Sequence, residues 1–132
     1  TGICGSGIIE AVAGLFLAGV VRPDGVIDGG LAKRSPRIEA DGRTFSYRLH
    51  DGPVPVCIRQ GDIRAIQLAK AALHAGSRLL MERMGVKSID RIRLAGAFGS
   101  YIDVKYAMVL GMIPGTIGIV TPAARARSTK AV

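Results

Sequence analysis

The sequence predicts a mixed α/β fold of the α+β kind, a half-domain organised around one long helix and not a complete doubly wound sheet. Three observations carry that expectation. Ile63, Ile66, Leu73, Leu80 and Met84 recur at helical spacing over a stretch from about Asp62 to Met84. Alternating residues flank the pair Asp41-Gly42, the pattern of a β-hairpin. A second alternating run, Arg91-Ile92-Arg93-Leu94-Ala95, stops at Gly96, and the chain turns again at Gly99.

In chain order, Gly2-Ile3-Cys4-Gly5-Ser6-Gly7 precedes a largely apolar run from Ile8 to Gly19. Ser6 is a suitable N-cap, Gly19 marks the end, and apolar residues on all sides predict a well-buried helix. Arg22 to Lys33, rich in glycine, proline and aspartate, reads as a loop. The hairpin follows, with strands around Arg37 to Ala40 and Thr44 to Leu49. A turn at Asp51-Gly52 then leads to a strand from Val54 to Arg59, and Pro55 predicts that this strand is short or at an edge. Asp62 is a plausible cap for the long helix, and Gly85 its stop. A strand from Ile89 to Ala95 enters the glycine turn. A short helix from Val104 to Leu110, capped by Asp103, ends at Gly111. Residues 115–132 read as an irregular tail.

The 132 residues make one unit, 1–132, long enough to bury a core. The chain opens at Thr1 within a glycine-rich motif, which points to a fragment of a longer protein. Its 18 glycines are about twice the usual ~7% share and suit a fold with many tight turns. With six aromatic residues and no tryptophan, recognition of nucleic acid by base stacking has little to work with. The net charge of +8 comes from scattered basic residues without a run of five like charges, so it reads as a solvated surface with weak anion attraction. No apolar stretch approaches the roughly 18 residues of a membrane span, and no signal peptide is visible. Two cysteines make no disulfide framework. The expectation is a cytoplasmic protein that engages neither nucleic acid nor membrane.

In open α/β sheets ligands sit beyond the carboxyl ends of the strands, which is where Gly96 and Gly99 lie. Without Cβ atoms, these positions let the backbone take positive φ and approach a ligand. Gly5, Ser6 and Gly7 open a helix whose unpaired N–H groups suit an anion, although close helix packing explains the same glycines equally well. Gln67 and Lys70 share a helix face, either toward a ligand or toward solvent. Cys4 stands where a helix dipole lowers a thiol's pKa, but it has no histidine relay, and a small buried cysteine is the preferred reading. Cys57 reads as core. Asp24, Asp28, Asp41 and Asp51 all neighbour turn glycines, so turn chemistry accounts for them. Two cysteines supply no closed metal site.

Asp62-Ile63-Arg64, Ile66-Gln67-Leu68-Ala69-Lys70-Ala71-Ala72 and Leu94-Ala95-Gly96-Ala97-Phe98-Gly99-Ser100-Tyr101-Ile102-Asp103, with Gly2 to Glu10 upstream, closely resemble the C-terminal part of the reductive activators of corrinoid proteins. Members of that family are similar to the actin, hexokinase and heat-shock ATPases, so the resemblance implies a partial ribonuclease-H-like, actin-type ATPase half-domain. It implies ATP, with magnesium in the full-length protein, and a [2Fe–2S] cluster in an N-terminal domain missing here. The implied activity is ATP-driven return of cob(II)alamin to cob(I)alamin. The implied partner is a corrinoid protein or corrinoid-dependent methyltransferase, and a homodimer is possible. The resemblance places Gly96, Ala97 and Gly99 against the nucleoside, Gln67 and Lys70 near adenine and ribose, and Gly5, Ser6 and Gly7 near the phosphates. It assigns no metal ligand and no catalytic residue within the fragment.

Two departures qualify the match. The superfamily's aspartate-containing phosphate loops are absent, which implies that the fragment alone neither hydrolyses ATP nor carries electrons. The tail from Ile119 to Arg127 replaces the family's glycine- and alanine-rich ending. Two other readings stay open. In one, Cys4-Gly5-Ser6-Gly7 echoes the dehydratase activators, which share a [4Fe–4S] cluster between subunits. In the other, the chain is a non-enzymatic module that docks a partner through its charge.

Overall fold

The computed structural model describes residues 2–113 and 119–122. It confirms a mixed α/β architecture, in which helices surround one antiparallel and one parallel sheet. Helix α1 spans Gly5–Leu17. Its N-cap is Cys4 and not Ser6, because the backbone becomes helical at Gly5 and the Cys4 Sγ accepts the Gly7 N–H at 3.3 Å. Gly19, at φ +72°, lies just beyond the C-cap Ala18 and stops the helix as expected. Ile9, Val12, Ala13 and Leu15 are buried but Leu17 is exposed, so one face is covered and not the whole circumference.

The segment expected as loop contains two ordered devices. Val21 bridges Ile27 across a turn with Gly25 at φ +81°. There Asp24 Oδ1 accepts the Val26 N–H at 3.0 Å and Asp24 pairs with Arg22. Asp28 Oδ1 then accepts the Gly30 N–H at 2.9 Å and caps a 3-10 turn, Gly29–Lys33. Both aspartates do the turn chemistry that their position beside glycine implies.

Strands β1 (Ile38–Asp41), β2 (Thr44–His50) and β3 (Val56–Arg59) form an antiparallel sheet in the order β1-β2-β3. Asp41 pairs with Thr44, so the hairpin loop is Gly42-Arg43, one residue later than Asp41-Gly42, with Gly42 at φ +60°. Tyr47 stands opposite both Ile38 and Ile58, which sets the apolar face of the sheet. Charge gathers around the strands, where Arg48 meets Glu39 at 3.3 Å and Arg37 meets Asp51 at 3.5 Å. These pairs join half-buried arginines to exposed carboxylates, and such surface pairs contribute little to stability. Pro55 falls just before β3, which is an edge strand of this sheet as expected.

Val12, Leu15, Val21, Ile27, Ile38, Ile58 and Ile63 form the core, drawn from α1, the following turn, the sheet and the start of the long helix. Each such side chain contributes roughly 1.5–3 kcal/mol on burial. That helix, α2, runs Gln60–Met84. Asp62 lies inside its first turn, not at the cap, and its Oδ2 reaches back to accept the Arg59 N–H at 2.8 Å. Gly85, at φ +65°, ends it, and Val86 N–H donates to Met81 O at 3.0 Å. Ile63 alone is buried along α2, while Leu73, Leu80 and Met84 are half or more exposed despite their helical spacing.

Strand β4 (Arg91–Leu94) leads into the one-turn helix α3 (Gly96–Gly99) and then α4 (Val104–Val109). Asp103 caps α4 through the N–H groups of Lys105 and Tyr106, as expected. Within the stretch expected to be an irregular tail, Ile119–Pro122 form β5, parallel to β4 with Arg91 opposite Ile119. The sequence offers no turn or crossover signal for that pairing, which depends on β4 as a template; the rest of the tail lies outside the described residues. Among the described residues no helix is long and apolar enough to cross a membrane.

One substitution type at two sites tests this packing. A Cβ at Gly29 would stand 2.0 Å from Phe45 Cε2, whereas at Gly76 it would meet nothing within 4 Å. Gly29→Ala should therefore destabilise the chain by about 1–3 kcal/mol through overpacking. Gly76→Ala should stabilise it by up to about 1 kcal/mol through helix propensity. Urea unfolding of both variants checks the opposite signs.

Candidate functional site

The turn after β4 is built by two glycines serving different needs. Gly96 takes φ +90°, a conformation that side chains resist, and among the described residues no atom beyond its own turn and chain neighbours lies within 4 Å of where its Cβ would be. The backbone here is open to close approach. Gly99 is not at positive φ; a Cβ there would press 3.1 Å from the carbonyl carbon of Leu94. Its small size lets α3 fold back onto the end of β4, a reason the sequence reading did not assign. Ser100 closes the turn, its Oγ donating to Gly96 O at 2.9 Å. Ala97 lies between the two glycines in α3. Gly96 and Gly99 line an apolar groove of about 1000 Å³ together with Leu73, Leu80, Ile92 and Leu94.

Gln67 and Lys70 share a face of α2, but they line a separate cleft of about 150 Å³ against the Arg22–Gly25 turn and the end of α4. Gln67 Nε2 donates to Asp24 O at 3.3 Å, and Arg64 Nη1 donates to Gln67 Oε1 at 3.2 Å. The Gln67 amide fills the space beside Gly25, only 2.0 Å from where a Cβ would stand. Lys70 Nζ lies 3.0 Å from the corresponding point at Gly111, itself at φ +65°. His74 Nε2 sits 2.9 Å from Gly111 O. Gly111 is thus a seat for two α2 side chains, where sequence reasoning saw only a helix stop. It also joins the two cavities, since Leu110 lines the cleft while Met112 and Ile113 line the groove.

Gly5, Ser6 and Gly7 form the first turn of α1 and line neither cavity, although α1 packs along α4 and meets α3. Gly7 is held small by its neighbours, because a Cβ there would approach Cys4 Sγ to 3.1 Å. Cys4 is exposed, contrary to the expectation of a buried thiol, because its sulfur is spent on capping and stays at the surface end of the helix. Cys57 is half-buried in β3. Among the described residues no three His, Cys, Asp or Glu side chains gather as a metal site.

The Cys4 thiol is held below the ordinary thiol value, first by its hydrogen bond with Ser6 Oγ at 3.5 Å and then by the Gly7 N–H. A depressed pKa means that the cap interaction is fully present above the unfolded thiol's pKa and is lost as pH falls through the folded value. In a Cys57→Ser background, iodoacetamide should alkylate native Cys4 with a pH midpoint below that of the unfolded chain. Ser6→Ala should move the midpoint upward, and an unmoved midpoint would remove Ser6 from the account.

Comparisons with known proteins identify the family to which this fold belongs. Residues 1–121 match the family model described as the C-terminal domain of RACo, the ASKHA domain. The chain is 37% identical over 130 residues to the corrinoid activation enzyme RamQ of Eubacterium limosum, covering 89% of this chain and 22% of that protein. A solved structure titled reductive activator for corrinoid, iron-sulfur protein superposes with a TM-score of 0.72 at 29% identity, over 92% of this chain and 20% of that one. The chain therefore spans about a fifth of the length of these relatives. Matched over residues 1–121, this chain belongs to the family of RACo C-terminal ASKHA domains.

Proposed function

We propose that this chain supplies the nucleotide-binding part of an ATP-dependent reductive activator, which returns cob(II)alamin to cob(I)alamin on a corrinoid protein or corrinoid-dependent methyltransferase. The observation that carries the reading is Gly96, a backbone position at φ +90° with open space where a side chain would be, at the carboxyl end of a parallel strand. A flat nucleoside fits against such a position, and any Cβ would fill it. In this reading Gly96, Ala97 and Gly99 face the nucleoside. Lys70, without a carboxylate partner among the described residues, turns its ammonium toward the ribose side across Gly111. Gln67 is anchored to Asp24 O and borders the same side. In the same reading Gly5, Ser6 and Gly7 lie near the phosphates at the first turn of α1, where the Gly7 N–H is already accepted by Cys4 Sγ.

ATP, bound with magnesium, would supply the free energy for an otherwise unfavourable electron transfer. In the same reading the [2Fe–2S] centre belongs to another part of the protein. A cytoplasmic setting and a homodimer are part of the same proposal.

The test contrasts two glycines of similar strain in the full-length protein. Gly96 and Gly85 both take positive φ with nothing within 4 Å of the Cβ position. Valine at either should cost about 1–2 kcal/mol or more of stability. Gly96→Val should also weaken ATP binding per folded molecule by tenfold or more, about 1.4 kcal/mol, while Gly85→Val leaves it unchanged. Calorimetric titration with ATP reads the difference. Equal loss of stability with unchanged ATP affinity in both variants would show that the glycine turn is structural only.

A further inference from the structure

A third concave surface lies away from the glycine turn, next to the Gln67–Lys70 cleft, with which it shares Arg22. It is a shallow groove of about 490 Å³ between the Arg22–Gly30 segment, the hairpin tip and the first turns of α2. Arg22, Arg43 and Arg64 line it, one from each of these three elements. Arg22 is fixed by Asp24, and Arg64 is oriented by Gln67 Oε1 at 3.2 Å. Neither Arg43 nor Arg64 has a carboxylate partner among the described residues. Asp28, the one carboxylate in the lining, caps Gly30 through Oδ1 and faces the Arg22 side of the groove.

Nothing local demands this arrangement. Only Gly42 of the loop pair takes positive φ, so the position of Arg43 does not require arginine. Arg64 is on an exposed part of α2, where any good helix former would serve. With Arg22 answered by Asp24, Arg43 and Arg64 are the cationic groups of the rim that an anion would complete. The groove also has an apolar side, from Phe45, whose ring lies over Gly29, and from the half-buried Val26. A bare phosphate would satisfy the rim and leave that side uncovered. An open groove with a cationic rim and an apolar floor suits an extended chain with acidic and apolar side chains.

We infer that the Arg22–Arg43–Arg64 groove docks an acidic polypeptide segment of a partner protein, carboxylates on the rim and an apolar side chain against Phe45. The groove does not share residues with the glycine turn, so the inference stands whether or not nucleotide binds there.

The test uses the full-length protein and a fluorescein-labelled acidic pentapeptide with a central phenylalanine, followed by anisotropy without nucleotide. Saturable binding that weakens as salt rises is expected. Arg43→Glu and Arg64→Glu should each weaken it by about fivefold, the upper range for an exposed charge pair. Arg83→Glu, the same charge change near the far end of α2, should leave it unaltered. A peptide with serine for phenylalanine should bind more weakly. Circular dichroism melts confirm folding, and Arg43→Gln serves if the charge reversal does not fold. The inference is overturned if the peptide does not saturate, or if Arg83→Glu weakens binding as much as the groove variants. It is equally overturned if inorganic phosphate displaces the peptide and the serine peptide binds as well, which would make the groove a plain anion site.

Discussion

The side-chain amide of Gln60 is the join on which the arrangement depends. Its Oε1 accepts the Ile27 N–H at 3.0 Å and its Nε2 donates to Gly25 O at 2.6 Å. Both backbone groups lie at the edge of the core, where leaving them unpaired costs about 1–3 kcal/mol each. One amide thus locks the turn after α1 to the start of α2. Gln67, two turns further on, repeats the device at Asp24 O. With the turn held, Val21 and Ile27 bridge, and α1 and the hairpin sheet enclose one core with Ile63.

The same clamp explains how α2 serves both halves of the molecule. Its first turns are committed to the core, its middle seats Gly111 through Lys70 and His74, and its last turns form one wall of the apolar groove beside Gly96. The glycine turn is placed relative to the core from two sides, by α2 along the groove and by α1, which meets α3 and packs along α4. A rise of 1.5 Å per residue over that helix fixes the spacing between the Gln67–Lys70 cleft and the Leu73–Leu80 groove. Gly111 is where the two meet, and its positive φ lets the chain pass beneath the α2 side chains.

The second half of α2 presents Leu73, Leu80 and Met84 to open space, and β4 with β5 makes a sheet of only two parallel strands. Parallel sheets are normally covered on both faces, and an isolated strand pair is marginal in water. The relatives matched here are about five times longer than the aligned piece, and the groove lies on the side where the described fold has the least cover.

Local chemistry made much of this legible. Helical spacing located α2, Asp-Gly located the hairpin, and Asp103 and Gly85 were readable as caps because each satisfies backbone groups within a few residues of itself. The family could be named from ordered motifs, and Gly96 could be marked as a positive-φ position because a strand ended there. Tertiary structure decided the rest. Cys4 displaced Ser6 as the cap once the helix began at Gly5, and the β-branched run Ile119-Val120-Thr121 became β5 only because β4 lay beside it. Apolar periodicity on α2 did not distinguish a buried face from one awaiting cover. Gln67 and Lys70 shared a face as spacing required, yet their neighbours proved to be Gly25 and Gly111, far away in sequence. Spacing along a chain determines which side chains travel together; what they meet depends on how distant segments close around one core.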